Sequence, residues 1–375
     1  MVIKNGLILN DNFNFEKTDI YIKNDKIELS GNIDISDKSI DATNCYVVPG
    51  FIDTHIHGAK GQSFIDFNES TYHDIASYEA SMGTTTIVPT LSAAPTSRLI
   101  DCIRYLNKFY NSNIKNCSSM EGIHLEGPYF SPLYRGAHKT ENIRIPNIEE
   151  LKLFLNTAHG TIKILTIAPE LPNAQEVIEY ASKNKVCVSA GHTNATFEDI
   201  QESITWGVSQ GTHLYNAMRP MKHRDPGAVG ALLSSNLKCE LIADFFHIDP
   251  AVVKITYAVK GKDKINLITD SEFGAGYING DYIVNGSMYT IKNGKTYLQD
   301  GTIGGGTSSL LDNVKNLVSL NIPLEEACIM ASKNPAETLG IYDKVGSISK
   351  GKQADILILD KDLNIKQVIL RGQII

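Results

Sequence analysis

Six residues able to hold or serve a metal ion share one placement: each follows a short apolar, strand-like run. His55 and His57 follow Val47-Val48-Pro49-Gly50-Phe51-Ile52-Asp53, and Glu126 follows Gly122-Ile123-His124-Leu125. His192 follows Val186-Cys187-Val188-Ser189-Ala190, His213 follows Val208-Ser209-Gln210-Gly211-Thr212, and Asp270 closes Ile265-Asn266-Leu267-Ile268-Thr269. Imidazole plus carboxylate is a ligand set for Zn²⁺ or Fe²⁺. Residues i and i+2 of an extended segment project to one side, so His55 and His57 can reach the same ion. Burying the Glu126 carboxylate after an apolar stretch is costly unless a cation compensates it. His124, two residues before Glu126, reads as a buried supporting histidine. Asp270, beside a metal-activated water, would act as a general base. His138 and His247 fall in loops after the third and seventh runs, and Arg224 is a loop cation suited to an anion. Taken singly, each has a plainer reading: a surface glutamate, a loop histidine, a helix-capping aspartate, a solvated arginine. Their recurrence at strand ends is what points to one site.

Eight apolar runs position these residues: 47–52, 84–90, 120–125, 162–168, 186–190, 208–213, 239–244 and 265–269. Helix-like segments at 71–82, 95–110, 147–158, 173–184, 196–206 and 250–261 alternate with them. Such alternation predicts an α/β fold, a (β/α)8 TIM-like barrel, whose strand ends meet on one rim. An open doubly wound sheet usually carries a glycine-rich dinucleotide turn after its first strand, and none is seen. Residues 1–48 and 346–375 alternate short apolar runs with Asn/Asp/Gly turns. Neither end makes a stable sheet alone, so both are expected to build one small β domain beside a barrel spanning 49–345. The strand-like segment 277–301 reads as an insertion or as strands joining that small domain.

The chain of 375 residues has a net charge of −7, with 42% hydrophobic and 21% charged residues. Its overall field gives no reason to expect nucleic acid, and an anionic substrate would need local basic groups. Six cysteines without a C-x-x-C pair read as thiols of a reducing compartment. Gly6-Leu7-Ile8-Leu9 is too short for a secretory signal, and no apolar stretch approaches the ~20 residues of a membrane span. A cytoplasmic location without membrane association is expected.

The ordered motifs resemble the amidohydrolase superfamily of metal-dependent hydrolases and, within it, the N-acetylglucosamine-6-phosphate deacetylases. The resemblance rests on Pro49-Gly50-Phe51-Ile52-Asp53-Thr54-His55-Ile56-His57-Gly58, His124-Leu125-Glu126-Gly127-Pro128, Gly191-His192-Thr193-Asn194-Ala195-Thr196, Thr212-His213-Leu214-Tyr215-Asn216-Ala217-Met218 and Thr269-Asp270. Ala168-Pro169-Glu170 and Arg224-Asp225-Pro226-Gly227 are further landmarks. It implies a barrel with a β-sandwich made from both termini. It also implies Glu126, His192 and His213 as ligands of a main divalent ion, Zn²⁺ first and Fe²⁺ second. His55 and His57 would hold a second ion with Glu126 bridging; members without this pair work with one. The implied reaction converts N-acetyl-D-glucosamine 6-phosphate to D-glucosamine 6-phosphate and acetate by attack of metal-bound hydroxide. Asp270 takes the water proton and returns it to the amine. His138 is implied at the acetyl carbonyl or sugar, His247 at the sugar phosphate region, and Asn216 and the Ala217 backbone near the phosphate. Arg224 is implied to reach the phosphate in the neighbouring subunit of a homodimer.

Two segments depart from the family pattern. Phe245-Phe246 precede His247 where a glycine or another small residue is usual, and Ser271-Glu272 follows Asp270. The rival readings are an N-acetylgalactosamine-6-phosphate deacetylase, another amide or cyclic-amide hydrolase, and a non-catalytic scaffold. Glu126 stands where the cyclic-amide enzymes carry a carboxylated lysine. Every ligand position and Asp270 are filled, which argues against the scaffold.

Overall fold

Eight parallel strands carry the candidate residues to one rim. The computed structural model describes residues 1–28, 38–110, 112, 114–284 and 287–375. The strands are β1 (Phe51–Ile56), β2 (Thr84–Leu91), β3 (Ile123–Glu126), β4 (Ile162–Ile167), β5 (Cys187–Ala190), β6 (Val208–Gly211), β7 (Lys238–Leu241) and β8 (Ile265–Leu267). Each pairs in parallel with the next, from β1 to β8. Every residue of β1, β2 and β3 is buried, as expected where helices cover a parallel sheet. The seam between β8 and β1 closes just beyond the end of β8. The Asp270 amide donates to the His55 carbonyl (3.0 Å), and the His57 and Gly58 amides donate to the Ser271 carbonyl (2.7 and 3.0 Å). Barrel closure therefore seats Asp270 beside the His55–His57 pair.

The outer layer comprises α1 (Thr71–Ser81), α2 (Thr96–Asn107), α3 (Ile148–Ala158), α4 (Ala174–Lys183), α5 (Phe197–Trp206), α6 (Gly227–Ser234), α7 (Pro250–Lys260) and α8 (Leu310–Ser319). Start signals are local: Thr196 and Asp199 bond reciprocally at the head of α5, and Ser309 and Asp312 do so at α8. Helix α6 lies outside the helical segments expected from sequence. Its residues Gly227 to Leu233 are all buried, so no polar face marks it. Gly227 and Gly230 also lower its intrinsic helix preference by about 1 kcal/mol each.

The apolar run 47–52 divides between two sheets. Tyr46–Pro49 pairs with Leu7–Leu9 and with Ile356–Leu359, whereas Phe51 begins the barrel. Gly50 sits at the crossing, where an added Cβ would lie 2.2 Å from Thr85 Oγ1. A six-stranded sheet takes strands from both chain ends, and a four-stranded sheet comes from the first 41 residues. Ile3, Ile20, Ile22 and Val47 share one core with Ile356, Ile358 and Ile369. Residues 29–37 of the 1–48 segment lie outside the described residues.

The late segment forms its own antiparallel sheet: Gly280–Val284, Ser287–Lys292 and Lys295–Leu298. Among the described residues it pairs with neither terminal sheet, so of the two expectations the insertion holds and the joining of the small domain does not. All six cysteines are free thiols, and among the described residues no helix is long and apolar enough to cross a membrane.

Candidate active site and metal centre

Glu126, at the end of β3, is the hub of the site. Its Oε1 lies 3.0 Å from His192 Nε2, 3.1 Å from His213 Nε2 and 3.3 Å from His55 Nε2. Its Oε2 lies 3.2 Å from both His57 Nε2 and His138 Nε2. Asp270 Oδ1 is 3.4 Å from His55 Nε2 and 3.3 Å from His57 Nε2. The facing imidazole nitrogens are 3.2 Å apart for His55–His57 and 3.1 Å apart for His192–His213. Donors bound at 2.0–2.1 Å to one tetrahedral ion stand about 3.3 Å from one another. The observed spacings of 3.0–3.4 Å match that requirement, so these residues fit a divalent ion. Glu126 spans two donor sets, His192–His213 and His55–His57–Asp270.

Local backbone aims the strand-end groups inward. His192, His213 and Asp270 have φ of +48°, +29° and +50°, a left-handed turn that side chains rarely adopt and that gathers at functional sites. Ring orientation is set from behind. His192 Nδ1 donates to the Tyr134 carbonyl (2.9 Å), and its ring stacks on Phe130 with centroids 4.2 Å apart. His57 Nδ1 meets Ser92 Oγ (3.0 Å), and His55 Nδ1 meets Glu240 Oε2 (2.9 Å). His124 bonds Thr166 Oγ1 and the Thr54 carbonyl beneath His55, a supporting position.

Electrostatics show how strongly the cluster favours positive charge. Burial would raise the Glu126 pKa, yet His55, His138 and His192 hold it well below the usual carboxylate range. Asp270 is likewise lowered against burial, by His55 and His57. Burial opposes charge on His57, but its bonds to Asp270 and Glu126 lift it to about 10. Burial also opposes charge on His55, and Glu240, Asp270 and Glu126 outweigh it. Two ionised carboxylates among buried imidazoles suit a divalent ion, which on binding would take the place of the protons on His55 and His57. Burial takes His192 down to about 4, leaving it neutral as a ligand must be.

The centre opens into a cavity of 640 Å³, within the usual range for small-molecule sites. His138, Asn216, Ala217 and His247 line it with His57, Glu126, His192, His213 and Asp270. His247 Nδ1 bonds Asp244 Oδ2 (2.7 Å); despite burial this pairing raises the His247 pKa, favouring the cation. Phe245 has φ +60°, a conformation that favours glycine. Phe246 packs edge-on against His247 and Tyr297, with Lys295 Nζ 4.4 Å from its ring centre. Phe246 therefore ties the loop to the insertion. Arg224 is exposed, bonds His223, and is not among the residues lining its own chain's cavity.

Sequence reasoning missed Ser92, Tyr289 and Glu240. Ser92 and Tyr289 line the cavity as uncharged residues with no motif to mark them. Glu240 offered a signal, a carboxylate inside the apolar run Cys239-Glu240-Leu241-Ile242. Glu272 lines the cavity and accepts from the Phe273 amide (3.1 Å), so its side chain belongs to the site's wall.

The model of the Amidohydrolase family matches residues 46–375. With its ligand-bearing strand ends and nearly closed barrel, the chain belongs to the amidohydrolase family. It is 33% identical over 378 aligned positions to the N-acetylglucosamine-6-phosphate deacetylase of Lysinibacillus sphaericus, covering 100% of this chain and 97% of that protein. Its place within the family is among the N-acetylglucosamine-6-phosphate deacetylases. A variant of the Mycobacterium smegmatis N-acetyl-D-glucosamine-6-phosphate deacetylase, solved in complex with N-acetyl-D-glucosamine-6-phosphate, superimposes with a TM-score of 0.92 at 28% identity. That match covers 100% of this chain and 98% of the other. The chain is also 32% identical to an N-acetylgalactosamine-6-phosphate deacetylase of Escherichia coli O157:H7, over 87% of this chain and 86% of that one.

Proposed function

We propose that this protein hydrolyses the acetamide of N-acetyl-D-glucosamine 6-phosphate, giving D-glucosamine 6-phosphate and acetate. The observation that carries the reading is the meeting of Asp270 with Glu126, His57, His192 and His213 at the inner end of one cavity, with His55 buried behind them. A divalent ion held there, Zn²⁺ or else Fe²⁺, would supply Lewis acidity toward the amide carbonyl and water. Glu126, His192 and His213 would hold the main ion, and His55 and His57 with Glu126 a second. Asp270, ionised at neutral pH, accepts the proton of the attacking water and returns it to the departing amine. His138, 3.2 Å from Glu126 and lining the cavity, is placed to donate to the acetyl oxygen. His247 as a cation, with Asn216 and the Ala217 backbone, would hold the phosphate end. Arg224, exposed on its own chain, would complete the phosphate site of a partner in a homodimer, as a guanidinium suits a phosphate. A cytoplasmic location fits the six free thiols.

The same reaction on the galactosamine epimer is the second reading, favoured by the likeness to the Escherichia coli protein. Acetate release from N-acetylglucosamine 6-phosphate, measured before and after chelation and after return of Zn²⁺ or Fe²⁺, tests the proposal. Activity that vanishes with the metal and returns with it is expected. Full activity in protein stripped of metal would contradict it.

A further inference from the structure

Strand β7 buries a carboxylate where its neighbours are apolar. Glu240 is 0% exposed, as are Cys239, Leu241 and Ile242. An ion in such surroundings is costly unless its oxygens are bonded. Oε2 accepts from His55 Nδ1 (2.9 Å) and from the His213 backbone amide (3.2 Å). Oε1 accepts from Gln210 Nε2 (2.9 Å), whose own Oε1 accepts from Asn266 Nδ2 (2.8 Å). Glu240 does not line the cavity, so it meets no substrate and acts through what it holds.

The four ligand histidines differ in what stands behind them. His192 has a peptide carbonyl at Nδ1 and His57 a serine hydroxyl. His213 Nδ1 has no partner among the described residues. Within this set, a carboxylate stands behind His55 alone. With an ion bound, that bond would keep the proton on Nδ1, leave the Nε2 lone pair to the ion, and make the ring a stronger donor to it. The same oxygen pins the amide at the end of β6, where the chain turns through His213. One carboxylate thus sets the spacing between the two donor sets that Glu126 spans.

We propose that Glu240 is the positioning residue of the His55–His57 half of the centre and decides whether an ion resides there. The inference rests on the reading of this cluster as a metal site. Metal-to-protein ratios and affinities for Zn²⁺, measured by competition with a chelator of known strength, test it in the full chain without substrate. The wild type is expected to bind two ions per chain with different affinities. In Glu240→Leu the ratio is expected to fall to one. In Glu240→Gln, whose amide oxygen can still accept from His55, the weaker ion is expected to lose about 10–100-fold in affinity. The melting temperature of the metal-free forms separates this from a purely structural role, which would lower it and leave the ratio at two. If the leucine variant does not fold, the glutamine variant carries the test. Wild-type affinity for both ions in the variants overturns the proposal, as does an equal fold-loss for both ions or a wild-type ratio of one or none. A wild type that binds two ions, a variant that loses one, and no acetate release would support Glu240's role while contradicting the deacetylase reading.

Discussion

The inner and outer ends of the cavity are built on different principles. At the inner end, His55, His57, Glu126, His192 and His213 sit at or just past strand ends and lie at most 4% exposed, and the four histidines stand 3.0–3.3 Å from Glu126. At the outer end, Asn216, Ala217, His247, Glu272 and Tyr289 come from loops and from the insertion, and all are partly exposed. A metal centre tolerates little displacement because its donors must converge on one point. A sugar and a phosphate can be held by many loop arrangements, so sequence can drift there while the chemistry stays. Phe246, in one of the segments read from the sequence as unusual, packs on His247 at this end.

Variants should keep the two ends separable. The largest effect is expected for Asp270→Asn: metal is retained, and turnover falls about 10²–10⁴-fold, the span of a lost general acid–base group. Near wild-type acetate release would remove Asp270 from proton transfer and blur the division. Next comes Arg224→Ala, expected to raise KM for the phosphorylated sugar about tenfold or more, the scale of one charge-assisted hydrogen bond. An unphosphorylated analogue should feel it much less, and equal changes on both would take Arg224 out of the phosphate site. The smallest effect is expected for Glu272→Gln. Removing a negative charge from the cavity wall should lower KM for the anionic sugar a few-fold with kcat little changed. A large fall in kcat would instead assign Glu272 to the chemical end.

The same division governs what could be read from the sequence. The placement of the candidate ligands was legible because apolar runs give them addresses, and the ends of β3, β5 and β6 bring Glu126, His192 and His213 together. The first run misled in part, since Pro49 and Gly50 conceal a passage between two sheets that hydropathy alone cannot divide. Helix α6 was hidden by burial on every side, which erases the 3.6-residue pattern. Glu240 resembled a stray polar residue in a core strand, because its partners His55, His213 and Gln210 lie 185, 27 and 30 positions away. The outer end carried the least signal: Ser92 and Tyr289 belong to no motif, and the contacts of Phe246 depend on an insertion whose packing is tertiary.

The central claim is that a metal-dependent inner end acts on an acetamide presented by a phosphate-holding outer end. It is tested most directly by acetate release, as kcat/KM, from N-acetylglucosamine 6-phosphate, N-acetylgalactosamine 6-phosphate and their unphosphorylated forms. The account predicts the highest value for N-acetylglucosamine 6-phosphate and a large loss when the phosphate is absent. Equal values with and without phosphate, or no acetate from any of the four by metal-loaded protein, would contradict it.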